Sequence, residues 1–125
     1  MIRVLLVDDH PLVRRAMRAL LECSGRVEVV GEAENGAEAV DQAASLKPDV
    51  VVMDVRMPQM DGLQATKAML AREPETRVVL LSMYSAADLD ESVFEAGALA
   101  FVPKQVASAE LLPAVQMAAG SAQIA

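Results

Sequence analysis

Apolar runs and amphipathic stretches alternate five times along this chain, and that alternation constrains its fold more than any other feature. The third run is the plainest. Val50-Val51-Val52-Met53 passes without a polar residue into Asp54, and Val55-Arg56-Met57-Pro58 follows. An apolar run without two-residue alternation reads as a strand covered on both faces, as in a parallel sheet. The other runs begin at Ile2, Val27, Arg77 and Leu99 and end at Val7, Ala33, Ser82 and Pro103. Strands that alternate with helices predict a parallel sheet with right-handed crossovers and helices on both faces. At 54% apolar and 2% aromatic, the core is built from Val, Leu, Ala and Met, and 125 residues suit one domain.

The helical patterns carry more detailed expectations. Pro11 suits a first helical turn. Leu12, Val13, Ala16, Met17, Leu20 and Leu21 then recur at helical spacing, with Arg14, Arg15 and Arg18 on the other face. Asn35-Gly36 marks a turn before a helix with Ala39, Val40, Ala43 and Leu46 inward. Asp61-Gly62 opens a third helix with Leu63, Met69 and Leu70 inward. Ser85, with Asp88 three residues on, is expected to cap a fourth, and Ser108 a fifth with Leu111, Leu112, Val115 and Ala119 inward. Gly120-Ser121 is expected to end the ordered domain (1–120) and leave 121–125 as a tail or the start of a linker. Pro103 cannot donate to a ladder, which puts the last strand at a sheet edge. The partly alternating second strand is expected at the other edge.

The net charge of −7 and a pI near 4.6 argue against nucleic-acid binding by this domain itself, which needs a basic face. No apolar run is long enough for a membrane span, and Met1-Ile2-Arg3 leads directly into a strand rather than a signal peptide. The lone Cys23 excludes an internal disulfide and is expected to be a small buried filler, which suits a reducing, cytoplasmic setting. No glycine-rich nucleotide loop is present.

In a parallel sheet every strand delivers its C-terminal end to the same side, where ligands bind. Asp8 and Asp9 follow the first strand, Asp54 the third, Ser82 the fourth and Lys104 the fifth. Taken singly, each has a bland reading: Asp8 and Asp9 as helix caps, Asp54 as a loop cap, Ser82 as a strand end, Lys104 as a solvated lysine. Together they describe a pocket of carboxylates that a cation must neutralise, and an all-oxygen set favours Mg²⁺ or Mn²⁺. Asp9 and Asp54 are the expected side-chain ligands, the backbone carbonyl of Arg56 a third, with Asp8 acting through water. Such an ion, with Lys104 and Ser82 on the remaining oxygens, prepares Asp54 as nucleophile for phosphoryl transfer.

Asp8-Asp9, Asp54 with Met57-Pro58 and Asp61-Gly62, Ser82 and Lys104 resemble the receiver domains of bacterial two-component response regulators. Asp8-Asp9-His10-Pro11-Leu12-Val13-Arg14 and Val30-Gly31-Glu32-Ala33-Glu34-Asn35-Gly36 resemble the NarL/FixJ (LuxR-type) subfamily, and the likeness covers essentially the whole chain. It implies a flavodoxin-like (CheY-like) fold with five strands in the order 2-1-3-4-5 and five flanking helices. It also implies a switch rather than a turnover enzyme. A sensor histidine kinase phosphorylates Asp54 with Mg²⁺, Ser82 and Phe101 reorient, and the face made by the fourth helix, fifth strand and fifth helix changes partners. Phosphorylation-dependent homodimers are usual in this family, and transcription is the expected output, through a helix-turn-helix for which this chain has no room.

Departures from the family pattern carry their own expectations. Phe101 stands where many receivers have tyrosine, and Gln105 stands where many have a proline after the lysine. His10 is expected to pack the loop or touch a partner rather than bind metal. Arg56 and Tyr84 are expected to flank the mouth of the site and obstruct hydrolysis of the acyl phosphate, and bulky Met83 to restrain the switch. Two rivals stand beside this reading. An aspartyl phosphatase wants an acid two residues after the nucleophile, where this chain has Arg56. A degenerate receiver serving only as a binding module would have no need of the full polar set.

Overall fold

The apolar runs form strands β1 (Ile2–Val7), β2 (Val27–Ala33), β3 (Val50–Asp54), β4 (Val78–Ser82) and β5 (Ala100–Pro103). In the computed structural model, which describes residues 1–83 and 92–124, they pair in parallel in the order β2-β1-β3-β4-β5. Both edge expectations hold: β2 and the proline-bearing β5 are the outer strands. β3 lies near the middle and is buried along its whole length, which is why its sequence shows no alternation.

Helices α1 (Pro11–Glu22), α2 (Gly36–Leu46), α3 (Gly62–Arg72), α4 (Ser92–Glu95) and α5 (Ala107–Ile124) follow the strands in turn, with a 3₁₀ turn at Lys104–Val106. The period-two side chains of the sheet divide between two cores. Leu5, Val7, Val51, Met53, Val78 and Leu80 face Ala39 and Ala43 of α2, Ala65 and Met69 of α3, and Val93 of α4. Val4, Leu6, Val50, Val52, Val79 and Leu81 face Leu21 of α1 and Leu111, Val115 and Ala118 of α5. Two helices therefore cover one face and three the other.

Several local expectations are corrected. Leu12 is 75% exposed and Ala16 is also exposed, so the inner stripe of α1 is Val13, Met17, Leu20 and Leu21. Arg14 turns inward instead, for reasons given below. Cys23 is exposed rather than buried, because it sits beyond the last turn of α1 as its C-cap. Ser108 does not cap the last helix. The 3₁₀ turn runs straight into α5 at Ala107, so Ser108 already lies inside the first turn. That helix also continues through Gly120 to Ile124. Ser85 and Asp88 lie outside the described residues.

Polar details pin both ends of the sheet. At the lower end the Arg3 guanidinium donates to the carbonyls of Lys47 (2.9 Å) and Leu46 (3.0 Å), satisfying the open C-terminus of α2. At the upper end Asp61 and Gln64 form a reciprocal capping box on α3, and Asn35 caps α2 by accepting from the Glu38 amide at 2.9 Å. The start of α3 lies directly against the end of β3: the Gly62 amide donates to the Val55 carbonyl at 2.7 Å.

A Cβ at position 62 would collide with the Asp54 carbonyl and lie 2.8 Å from Val55 Cα, against backbone that cannot swing aside. Gly62→Ala is therefore expected to cost about 1–3 kcal/mol in denaturant unfolding. A neutral result would show that the β3–α3 loop yields freely.

Candidate functional site

The strand order reverses between β1 and β3, and the crevice beyond their C-terminal ends is where a doubly wound sheet offers a binding site. Asp8 and Asp9 leave the end of β1, Asp54 closes β3, and Lys104 is the first residue after β5. The Lys104 Nζ lies 2.8 Å from Asp8 Oδ2 and 3.2 Å from Asp54 Oδ2. All three side chains are at least nine-tenths buried, so this bridge operates with little solvent screening.

Burial is the main reason the Asp54 carboxyl is held above the usual carboxylate range, and the neighbouring Asp8 charge adds to it. Lys104 and the Arg56 amide, which donates to Asp54 Oδ1 at 3.3 Å, offset only part of that cost. For Lys104 burial works against the charge, but the hydrogen bond it donates to Asp8 and the charges of Asp54 and Asp8 outweigh it and push the ammonium above its ordinary value.

The bland readings of the two early acids do not describe this arrangement. The N-cap of α1 is His10, without a side-chain capping bond. Asp8 Oδ1 instead accepts from the His10 amide at 2.9 Å, turning the chain toward α1 while Oδ2 faces Lys104. Asp9 Oδ1 is buried yet accepts no hydrogen bond. A buried carboxylate oxygen left unpaired calls for a ligand. With one oxygen each from Asp8, Asp9 and Asp54 close together, the donor set fits a hard divalent cation.

Ser82 is fully buried at the end of β4 and lies in register with Pro103, so it stands beside the lysine strand. Phe101 is half-buried, aligned with Leu80 and packed against the core under α2, α3 and α4. Arg56 is exposed and, with Asp9, His10, Met57, Pro58 and Asp61, lines a hollow at the mouth. Met83 is exposed, and its carbonyl accepts from the Gln105 side chain at 2.6 Å. The residue that replaces the family's proline thus ties the β4 end to the turn carrying Lys104. Tyr84 lies outside the described residues. The Val102–Pro103 peptide is trans, since no cis bond occurs among the described residues.

Two features add contacts that the sequence reading did not specify. Arg14 Nη1 donates to the Asp8 carbonyl at 2.5 Å and its Nε to Glu32 Oε1 at 3.1 Å, while Arg18 holds the other Glu32 oxygen at 2.7 Å. This clasp ties α1 and the edge of β2 to the acidic loop. Glu32, although burial opposes its charge, is kept below its usual value by Arg18 and Arg14. A carboxylate at the end of the neighbouring strand was the available signal. The second feature is His10, whose Nδ1 lies 3.0 Å from Asp9 Oδ1 and 3.3 Å from Asp8 Oδ1.

Comparison with known proteins agrees with this geometry. Residues 4–116 match the model of the response regulator receiver domain. The chain is 42% identical over 118 residues to the transcriptional regulatory protein LiaR of Bacillus subtilis, covering 94% of this chain and 56% of that protein. It is 42% identical over 107 residues to a protein-glutamate methylesterase/protein-glutamine glutaminase of Alkalilimnicola ehrlichii, covering 85% of this chain and 27% of that protein. Among solved structures, the signal receiver domain of the putative response regulator NarL from Mycobacterium tuberculosis superposes with a TM-score of 0.89 at 39% identity, covering 95% of this chain and 96% of that one. The chain thus spans about half the length, or less, of the curated relatives it matches. Among the described residues no helix is long and apolar enough to cross a membrane.

The crowding of charge has a measurable consequence. Because folding raises the Asp54 value, the folded state favours the protonated acid, and stability is lost as pH rises through that raised value. At neutral pH without divalent cations, Asp54→Asn is expected to raise Tm by roughly a few degrees. The gain should vanish as pH falls into the carboxylate range. A lower Tm for the variant at neutral pH would show that the Lys104 bridge outweighs burial and repulsion.

Proposed function

The chain belongs to the response regulator receiver domain family, and on that premise we propose that Asp54 accepts a phosphoryl group from the phosphohistidine of a sensor kinase. A receiver of this family is a phosphorylation switch of two-component signalling. The observation that carries the assignment to Asp54 is its burial at the end of β3 within 3.2 Å of Lys104, beside an Asp9 oxygen that accepts no hydrogen bond.

In the reaction a carboxylate oxygen of Asp54 attacks phosphorus, the N–P bond of the donor breaks, and its electron pair returns to the donor's imidazole, which takes up a proton. The product is an acyl phosphate. A bound Mg²⁺ or Mn²⁺, held by Asp9, Asp54 and the Arg56 carbonyl with Asp8 acting through water, would neutralise charge on the phosphoryl oxygens. Lys104 supplies a compact positive charge to a second oxygen, and Ser82 a hydroxyl donor to a third. Phe101 follows Ser82 as the movable side chain of the switch. Its consequence falls on the face made by α4, β5 and α5, where phosphorylation-dependent pairing of two copies fits the family.

Transcription is the output we favour, through a DNA-binding domain outside this chain. The name of the LiaR relative and the half of that protein not covered here support it. The methylesterase relative is the contrasting case, in which a receiver accompanies an enzyme. The domain itself is no turnover phosphatase, because the residue two beyond the nucleophile is Arg56, whose guanidinium is too weak an acid to protonate a leaving group.

Intact mass after incubation with acetyl phosphate and Mg²⁺ tests the assignment. One phosphoryl adduct is expected on the wild-type chain and none on Asp54→Asn; an adduct that persists in the variant, or none in the wild type, rejects it. The mouth residues are tested by lifetime. Arg56→Ala combined with Tyr84→Ala is expected to shorten the half-life of the acyl phosphate, and an unchanged half-life removes both from that role.

A further inference from the structure

Among the residues around the acidic pocket, His10 has no part in the function proposed above. Its ring is largely exposed at 68%, yet the Nδ1 edge turns back onto the acids. The Nδ1 is hydrogen-bonded with Asp8 Oδ1 at 3.3 Å, a bond that a metal ion would replace, and it lies 3.0 Å from Asp9 Oδ1. The 3.0 Å approach to Asp9 is not a hydrogen bond, because that oxygen accepts none. A nitrogen and an oxygen that face each other at this distance without sharing a proton are spaced as neighbouring ligands of one ion. Adjacent ligands of an octahedral cation with bonds of about 2.1 Å stand about 3.0 Å apart. One donor atom each from Asp8, Asp9, His10 and Asp54 all fall within 4.8 Å of one another, a set that a small contraction closes around a single ion.

Charge leads to the same conclusion. Three carboxylates against the Lys104 ammonium leave two negative charges, which a divalent ion cancels. A further carboxylate ligand would upset that balance, whereas an imidazole adds a donor without adding charge. Nitrogen also alters selectivity. Mg²⁺ prefers oxygen donors, while imidazole suits first-row transition ions such as Mn²⁺ and Co²⁺.

Resting on the metal site proposed above, we infer that His10 is a direct nitrogen ligand of the ion and biases the pocket from Mg²⁺ toward Mn²⁺ and related transition ions. This revises the sequence expectation of a loop-packing or partner-contact role. The backbone supports it: the Asp8 side chain fixes the His10 amide, and Arg14 fixes the Asp8 carbonyl, so the step from acid to imidazole is held at both ends. Pro11 at the start of α1 then limits where the backbone after His10 can go.

The test uses the whole chain loaded separately with Mg²⁺ and Mn²⁺. Calorimetry gives the affinity ratio, and electron spin-echo modulation of the Mn²⁺ form reports any nitrogen bound to the ion. In the wild type, nitrogen modulation and a preference for Mn²⁺ are expected. In His10→Ala and His10→Gln the modulation should disappear, and the Mn²⁺-over-Mg²⁺ ratio should fall by about tenfold. Both ions binding without nitrogen modulation, or a ratio unchanged by the two variants, overturns the role of His10 and leaves the phosphoacceptor reading intact. Failure of the wild type to bind either ion would overturn the metal site and this inference together.

Discussion

The arrangement depends on one ammonium between two buried carboxylates. Asp8 and Asp54 leave neighbouring strands at the same level, with little water to screen them. Unaided, one of them would have to take a proton. Lys104 reaches both, and its hydrogen bond to Asp8 joins residues 96 apart in sequence. The last strand must therefore be seated before the first acid has its partner. The bridge still does not balance the pocket, since Asp54 remains above its ordinary value and one buried Asp9 oxygen accepts no hydrogen bond. A fold optimised only for stability would have placed apolar groups here. Retaining an unbalanced charge at the ends of β1 and β3 fits the divalent-cation site that we propose for this pocket.

The scaffold makes that imbalance tolerable by being well satisfied elsewhere. Two apolar layers enclose the sheet, and the ends away from the pocket have their polar groups paired, as Arg3 shows at the C-terminus of α2. Around the pocket the chain is drawn in tightly. Gly62 lets α3 start against the end of β3, and Gly36 leaves room for Met60, which a Cβ would approach at 2.8 Å from its carbonyl. These close approaches place the loop that follows Asp54, including the Arg56 carbonyl, without a long or mobile connection. The Arg14–Glu32–Arg18 clasp performs the same service for the loop after β1.

The sheet and the list of pocket residues were legible because apolar runs and their terminal polar residues are local signals. Val50–Asp54 announces its own burial, and Pro103 its own edge position. The first helix was harder. The apolar residues within its length allow more than one inward stripe, and the choice goes with partners outside the helix: Glu32 and the Asp8 carbonyl hold Arg14 inward, while Leu12 and Ala16 lie outside. Cys23 followed from the same kind of boundary, since Leu21, two positions earlier, is buried while the C-cap is exposed. Ser108 has the chemistry of a cap, but the 3₁₀ turn through Lys104 delivers its backbone already helical. Spacing alone also says nothing of where the His10 ring edge points, and the structure turns it onto Asp8 and Asp9.

That 3₁₀ turn also explains how an event at Asp54 can reach the surface. Lys104 begins it, Gln105 donates to the Met83 carbonyl, and Ser82 lies in register with Pro103. The ends of β4 and β5 are therefore joined twice, once through the ladder and once through a side chain. Any anion on Asp54 competes with Asp8 for the same ammonium. The lysine side chain is buried, and its backbone begins the short turn that is tied to both strand ends. Phe101 stands on β5 three residues before that lysine, half in the core beneath α4 and half out. A charge change within hydrogen-bonding reach of Lys104 therefore bears on a turn and two strand ends that are tied together, and the half-buried Phe101 stands on that same edge.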